Sequence, residues 1–300
     1  MDLERIHAAV AAYLRDAAPS DAARLEFFEG LYGVLDERAQ GVAAASGYAA
    51  PSTGETGELF AAGTPVFSKA PVAIDADEFG ATCAAVASYM AAHAGLDADV
   101  ASALGAFDWV RFAQRADLAQ AGSDPTAFVN DVLANLGAFD VPADMPANLC
   151  AMTVMFALRA HLEPASESVC AVYAQSVAEG GEHAPASIDC PVCGSPASAS
   201  WVGNTGDTSG SGRRQYCAQC GAQWHFDRVR CGRCGTRNQG HLHYTNVEGD
   251  RAHRLQTCDE CGAYERVVFQ DDLPEGVPFV MEVEDVVMAP LDAVAQQREA

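Results

Sequence analysis

An α+β fold is predicted for this chain: an N-terminal α-helical domain followed by two tandem four-cysteine ribbon modules. Three observations point there. Alanine-rich segments before residue 186 carry apolar stripes at helical spacing. Eight of the 11 cysteines fall into four Cys-x-x-Cys pairs between residues 190 and 261. The charge balance changes at the same place. Lys/Arg against Asp/Glu is 8 to 25 over residues 1–185, 9 to 8 over 186–270, and 1 to 8 over 271–300. The expected organisation is a helical domain at 1–185, a first module at 186–221, a second at 222–270, and an acidic tail at 271–300.

Composition narrows the class. With 49% hydrophobic and 20% charged residues the chain is globular rather than disordered. Its longest mostly apolar run, Leu149 to Leu158, is too short to span a bilayer and is closed by Arg159. The start, Met1-Asp2-Leu3-Glu4-Arg5, shows no basic and apolar leader pattern, so a cytoplasmic protein without a membrane span is expected. A net charge of −23 opposes nucleic acid as a partner.

The helical half reads in order. Ser20 is expected to cap a helix whose Leu25, Phe28, Leu31, Tyr32 and Leu35 share a face. Gly41 to Val66 reads as a long loop. Asp75–Ala94 and Val100–Ala119 read as helices, the first capped by Asp75 with Glu78 three residues on, the second carrying Trp109 and Phe112. Asp124-Pro125 opens another, striped by Phe128, Val129, Val132, Leu133 and Leu136 and stopped by Gly137. Ala147–Leu162, apolar nearly all round, should be buried; Ser166–Ala178 follows, and Glu179 to Ser187 is a linker. No Gly-rich phosphate loop or His-Glu-x-x-His occurs, the acidic residues are dispersed, and no catalytic residues are assigned. His7, His93, His161 and His183 read as isolated surface histidines. Cys83, Cys150 and Cys170 read as inert buried thiols.

The chemistry lies in the pairs Cys190/Cys193, Cys217/Cys220, Cys231/Cys234 and Cys258/Cys261. Shifting the first four cysteines by 41 positions lands on the second four. Each pair is followed by glycine (Gly194, Gly221, Gly235, Gly262), as a tight metal knuckle needs at a positive φ, with amides then expected to point at the sulfurs. In a cytosolic chain this pattern reads as metal before disulfide. A thioredoxin-like motif should open a helix in a βαβ context, which is absent. Each module is expected to be a rubredoxin-like or zinc-ribbon-like unit. The first has strands Ala197–Val202 and Arg213–Tyr216 around the loop Gly203 to Gly212. The second has His241–Val247 and Ala252–Gln256 around Glu248-Gly249-Asp250. Gln223–Val229 and Tyr264–Phe269 can each add a third strand. Such small modules need the metal to fold, at roughly 10 kcal/mol for structural zinc. Zinc and iron both accept four thiolates, so spacing leaves the ion open. His225, His241, His243 and His253 sit inside the ribbons but are not needed as ligands. Trp224, Phe226, Arg228, Arg230, Arg233 and Arg237 surround the central knuckle and are the expected partner-binding residues, Arg and Trp being favoured anchors; the alternative is that Trp224 packs between the two modules and the arginines are solvated.

The run Cys190-Pro191-Val192-Cys193-Gly194-Ser195-Pro196 resembles that of the FdhE family, formate dehydrogenase accessory proteins. So do Arg214-Gln215-Tyr216-Cys217-Ala218-Gln219-Cys220-Gly221-Ala222-Gln223-Trp224-His225, Arg228-Val229-Arg230-Cys231-Gly232-Arg233-Cys234-Gly235, Tyr244, and Cys258-Asp259-Glu260-Cys261-Gly262-Ala263-Tyr264. The resemblance is specific over about residues 190–264 and general over 1–185; Glu265-Arg266 and the short tail depart from it. It implies a cytoplasmic maturation factor, not an enzyme, that binds the catalytic subunit of formate dehydrogenase and carries rubredoxin-like iron. The residues alone also admit a nucleic-acid-binding zinc ribbon or a rubredoxin-like electron carrier.

Overall fold

Aspartate side chains cap five of the described helices. The computed structural model describes residues 1–179, 184–206 and 210–299. His183, part of the expected linker, and residues 207–209 of the loop Gly203 to Gly212 lie outside the described residues. Helix α1 (Leu3–Tyr13) starts at Asp2, whose carboxylate accepts from Arg5 N. Helix α2 (Pro19–Ser46) starts instead with proline at its first turn and no side-chain cap, so Ser20 is not the expected N-cap. It runs through the alanines to Gly47, which takes the left-handed conformation. The loop expected over Gly41 to Val66 therefore holds the end of α2 and all of α3 (Thr53–Ala61), which a Ser52/Glu55 capping box begins.

Helix α4 (Ala76–His93) starts at Asp75 as expected, with Asp77 N and Glu78 N donating to its side chain. The helix expected over Val100–Ala119 is three: α5 (Ala98–Ala106), α6 (Trp109–Arg115) and α7 (Leu118–Ser123). Phe107 is extended, and Asp108 and Asp117 each restart the helix by accepting an amide three residues on. Helix α8 (Pro125–Ala134) opens at Asp124 but stops at Asn135, two residues before Gly137. Helix α9 (Ala147–Ala178) joins two expected helices across Pro164. Proline costs a hydrogen bond there, yet buried Leu162, Ala165 and Val169 hold the path on both sides. Helices α2, α4, α6, α8 and α9 share one apolar core that includes Leu31, Phe79, Trp109, Phe128 and Leu158.

Six strands follow: β1 (Ala199–Gly203), β2 (Gly212–Tyr216), β3 (Gln223–Phe226), β4 (Leu242–Asn246), β5 (His253–Cys258) and β6 (Tyr264–Phe269). They form one sheet in the order β3-β2-β1-β6-β5-β4. Each ribbon is a three-stranded antiparallel unit, and the two meet where β1 runs parallel to β6, Trp201 opposite Val268.

The acidic tail is structured. Helix α10 (Met281–Val287) and helix α11 (Ala289–Glu299) return over the sheet. Met281, Met288 and Leu291 bury against Trp201, Leu255 and Val268. On its other side α10 meets α1 and α2, Val283 and Val286 packing with Ile6, Val10 and Leu25. Among the described residues no helix is long and apolar enough to cross a membrane.

Candidate metal centres

The sulfurs of Cys190, Cys193, Cys217 and Cys220 lie within 4.8 Å of one another, and so do those of Cys231, Cys234, Cys258 and Cys261. Across the knuckles, Cys190–Cys220 and Cys193–Cys217 are 3.6 Å apart, and Cys231–Cys261 and Cys234–Cys258 are 3.8 Å apart. A tetrahedron with metal–sulfur bonds near 2.3 Å has sulfur–sulfur edges of about 3.8 Å. A disulfide needs about 2.05 Å. Each cluster therefore fits one tetrahedral ion, and the residues present can hold two. A four-thiolate shell leaves no open position, so the bound ion supplies structure, and iron would add one-electron chemistry.

The local backbone explains the knuckles. All four glycines after the pairs have positive φ: Gly194 at 81°, Gly221 at 80°, Gly235 at 78° and Gly262 at 71°. Their amides, expected to face sulfur, instead donate to the carbonyl of the first cysteine of each pair, as Gly194 N does to Cys190 O at 2.9 Å. At the third knuckle sulfur is met by the amides before the glycine: Arg233 N and Cys234 N lie 3.4 and 3.5 Å from Cys231 Sγ.

The two sites differ in setting. All four cysteines of the first are buried and belong to the helical core. Val66 N and Phe67 N donate to Pro191 O and Val192 O at 3.0 and 2.9 Å. Gln219 Nε2 donates to Met155 O on α9, and Ser166 Oγ lies 3.5 Å from Cys220 Sγ. Arg159 of α9, 5% exposed, donates to Tyr216 Oη at 3.0 Å and Ala218 O at 2.9 Å. It also pairs with Glu163 at 3.1 Å and Glu282 at 3.3 Å, so one guanidinium ties α9, the knuckle and α10 together. Sequence reasoning passed over Arg159, Ser166 and Gln219. The available signal was an arginine inside an apolar helix with Glu163 four residues on.

At the second site Cys231 and Cys258 are buried while Cys234 and Cys261 are exposed. Its support comes from the ribbons and the segment before them. Arg213 donates to Arg230 O at 2.9 Å, Arg230 to Ala186 O at 2.6 Å, and Asp259 N to His241 O at 2.9 Å.

Of the expected partner-binding residues, Trp224 and Phe226 are interior, at 6% and 1% exposure. Trp224 packs on the helical core and donates its indole N–H to Ser187 O, while Arg213 and Arg230 stack on Phe226. Arg228, Arg233 and Arg237 are exposed, and Arg237 pairs with Asp227. Each metal cluster holds four cysteines and no histidine. His161, expected at the surface, is buried beside Thr82 and Phe79; burial first, then Arg38, lowers it to about 4. His253 is buried between Asp250 at 2.8 Å and Glu284 at 2.7 Å, and Glu284 also accepts from Tyr13. Burial opposes its charge, but these hydrogen bonds and carboxylates raise it to about 9. Burial raises the thiols of Cys150 to about 11 and Cys170 to about 12, which makes them poor nucleophiles.

Residues 189–228, which hold all four ligands of the first site, match the family described as FdhE, central domain. Over this segment the chain is similar to the FdhE family. Over 87 residues it is 37% identical to Protein FdhE of Escherichia coli O1:K1 / APEC and of Shigella boydii serotype 18. That stretch is 29% of this chain and spans only 27% of those curated relatives. Beyond it, the family likeness is one of fold. The crystal structure of the FdhE protein from Pseudomonas aeruginosa superposes with a TM-score of 0.53 over 99% of this chain and 90% of that one, at 19% identity.

Proposed function

We propose that this chain is a cytoplasmic, non-catalytic maturation factor that binds the catalytic subunit of a formate dehydrogenase. The observation that carries this reading is the FdhE central domain laid over the first four-cysteine site. In this reading the eight cysteines ligate two ions, iron or zinc. Segment 1–185 with the tail 271–300 forms the rigid body, and segments 186–221 and 222–270 present the client surface. Arg228, Arg233 and Arg237 are the docking residues on that surface. Trp224 and Phe226 support them from within the sheet. Arg230, half-buried, orders the loop from beneath by its bonds to Gly235 O and Ala186 O.

The test is a pull-down of the full chain from its native cytoplasm, with metal analysis of the same sample. The expected result is co-purification of a formate dehydrogenase catalytic subunit. That subunit should be lost from the Arg228→Glu/Arg233→Glu/Arg237→Glu variant while both ions remain. Recovery of nucleic acid in place of the subunit would overturn the reading.

A further inference from the structure

We propose that the second four-cysteine site is a metal-exchange site, open along its Cys234–Cys261 edge to the ligands of a docked partner, whereas the first is closed by the helical core. This rests on the reading of both clusters as metal sites.

The asymmetry begins in the burial pattern. Two thiolates that face solvent, one from each knuckle, leave one edge of the second tetrahedron uncovered. The same positions in the first site, Cys193 and Cys220, are each 1% exposed or less. No cysteine of the second site belongs to an apolar core cluster among the described residues. Local opening of the second knuckles therefore exposes little apolar surface, and opening the first would unpack the helical core.

The surroundings of the open edge supply what exchange needs. His241 and His243 stand beside the second pair, held by the two residues inside that pair, Glu260 at 3.5 Å and Asp259 at 2.8 Å. Their imidazoles pair with the residues that lie between Cys258 and Cys261 in the chain, and imidazole is itself a ligand for zinc or iron. A cavity of about 460 Å³, whose lining includes Arg233 and Ala263, each within two residues of a site cysteine, extends from there to Ser198 and Asp292 and has room for an incoming side chain.

The step is ligand substitution. With an ion held by the four cysteines, an incoming thiolate or imidazole would bond to it as the sulfur of Cys234 or Cys261 left and took a proton from water. No electron moves, so no oxidant or reductant is required. The chemical class of the exchange partner is a protein or peptide bearing cysteine or histidine ligands.

The full chain loaded with two cobalt(II) ions tests this, because tetrahedral cobalt thiolates absorb visible light. The load is challenged with excess EDTA, and separately with a metal-free peptide carrying four cysteines. The expected loss is biphasic, one ion per chain in each phase, the first faster by about tenfold or more because only local opening is needed. Cys261→Ser should abolish the fast phase and keep the slow one. Iodoacetamide added after the fast phase should label Cys231, Cys234, Cys258 and Cys261 and spare Cys190, Cys193, Cys217 and Cys220. That labelling readout requires no variant to fold. Single-phase loss, a fast phase that survives Cys261→Ser, or early labelling of the first four cysteines would overturn the proposal. A well-folded chain that takes up no cobalt would overturn the metal-site reading itself, and the proposal with it.

Discussion

The two four-cysteine sites repeat one sequence pattern and serve two structural ends. The first is part of the helical core: its sulfurs are buried, and its knuckles are tied to α9 and to the segment after α3. The second sits on the outer ribbon with half its sulfurs in solvent. The difference teaches that ligand spacing defines the shell of a metal site, while its surroundings define what losing the ion costs. An ion in the first site would hold together more apolar surface than one in the second.

The largest expected effect tests that contrast directly. Cys217→Ser should forfeit most of the first ion's contribution, on the order of 10 kcal/mol for structural zinc, and leave the chain unable to fold. Cys261→Ser should lose the second ion and leave the helical melting transition nearly unmoved. Far-UV circular dichroism during heating checks both, and equal melting losses would break the comparison.

Arg159→Ala comes next. It strips the partner from buried Glu163 and unties the first knuckle, so a loss of about 3–5 kcal/mol is expected in urea unfolding. Arg237→Ala, beside the second site and exposed, should change stability by about 0.5 kcal/mol or less.

Two buried histidines sharpen the contrast with pH. His253, raised to about 9, stabilises the fold fully below the unfolded value near 6.5, and that contribution fades as pH rises through 9. His161, lowered to about 4, acts in the opposite sense: the unfolded chain takes up its proton first, so stability falls as pH drops from 6.5 toward 4. Each limb is about 3 kcal/mol deep. His253→Gln should flatten the alkaline limb and His161→Gln the acid limb in unfolding curves recorded across pH. Ser166→Ala, which removes the hydroxyl beside Cys220, should cost about 1 kcal/mol or less.

The two four-cysteine clusters were legible in the sequence because each knuckle is local: two cysteines, a turn and a glycine lie within five residues. The same locality exposed the Asp75 and Asp124 caps. It failed where local signals competed. Asp108 and Asp117 broke an apolar stripe into three helices, and packing carried α9 across Pro164. Contacts distant in sequence left no trace. Nothing around Tyr13 announces that it meets Glu284, and nothing around Trp224 says that its indole faces a core rather than a partner.

The pairing of β1 with β6 has one more consequence. The 41-residue shift carries β1, β2 and β3 onto β4, β5 and β6, so the first strand of one repeat runs beside the third strand of the other. A two-fold axis would have set like beside like. These repeats are related by translation instead, the head-to-tail relation that generates open arrays rather than closed pairs. Its β3 terminus is sealed by Trp224 against the helices, but its β4 terminus is not. There, among the described residues, the edge is guarded by the brevity of a five-residue strand and the exposed, polar side chains of His243, Tyr244 and Asn246.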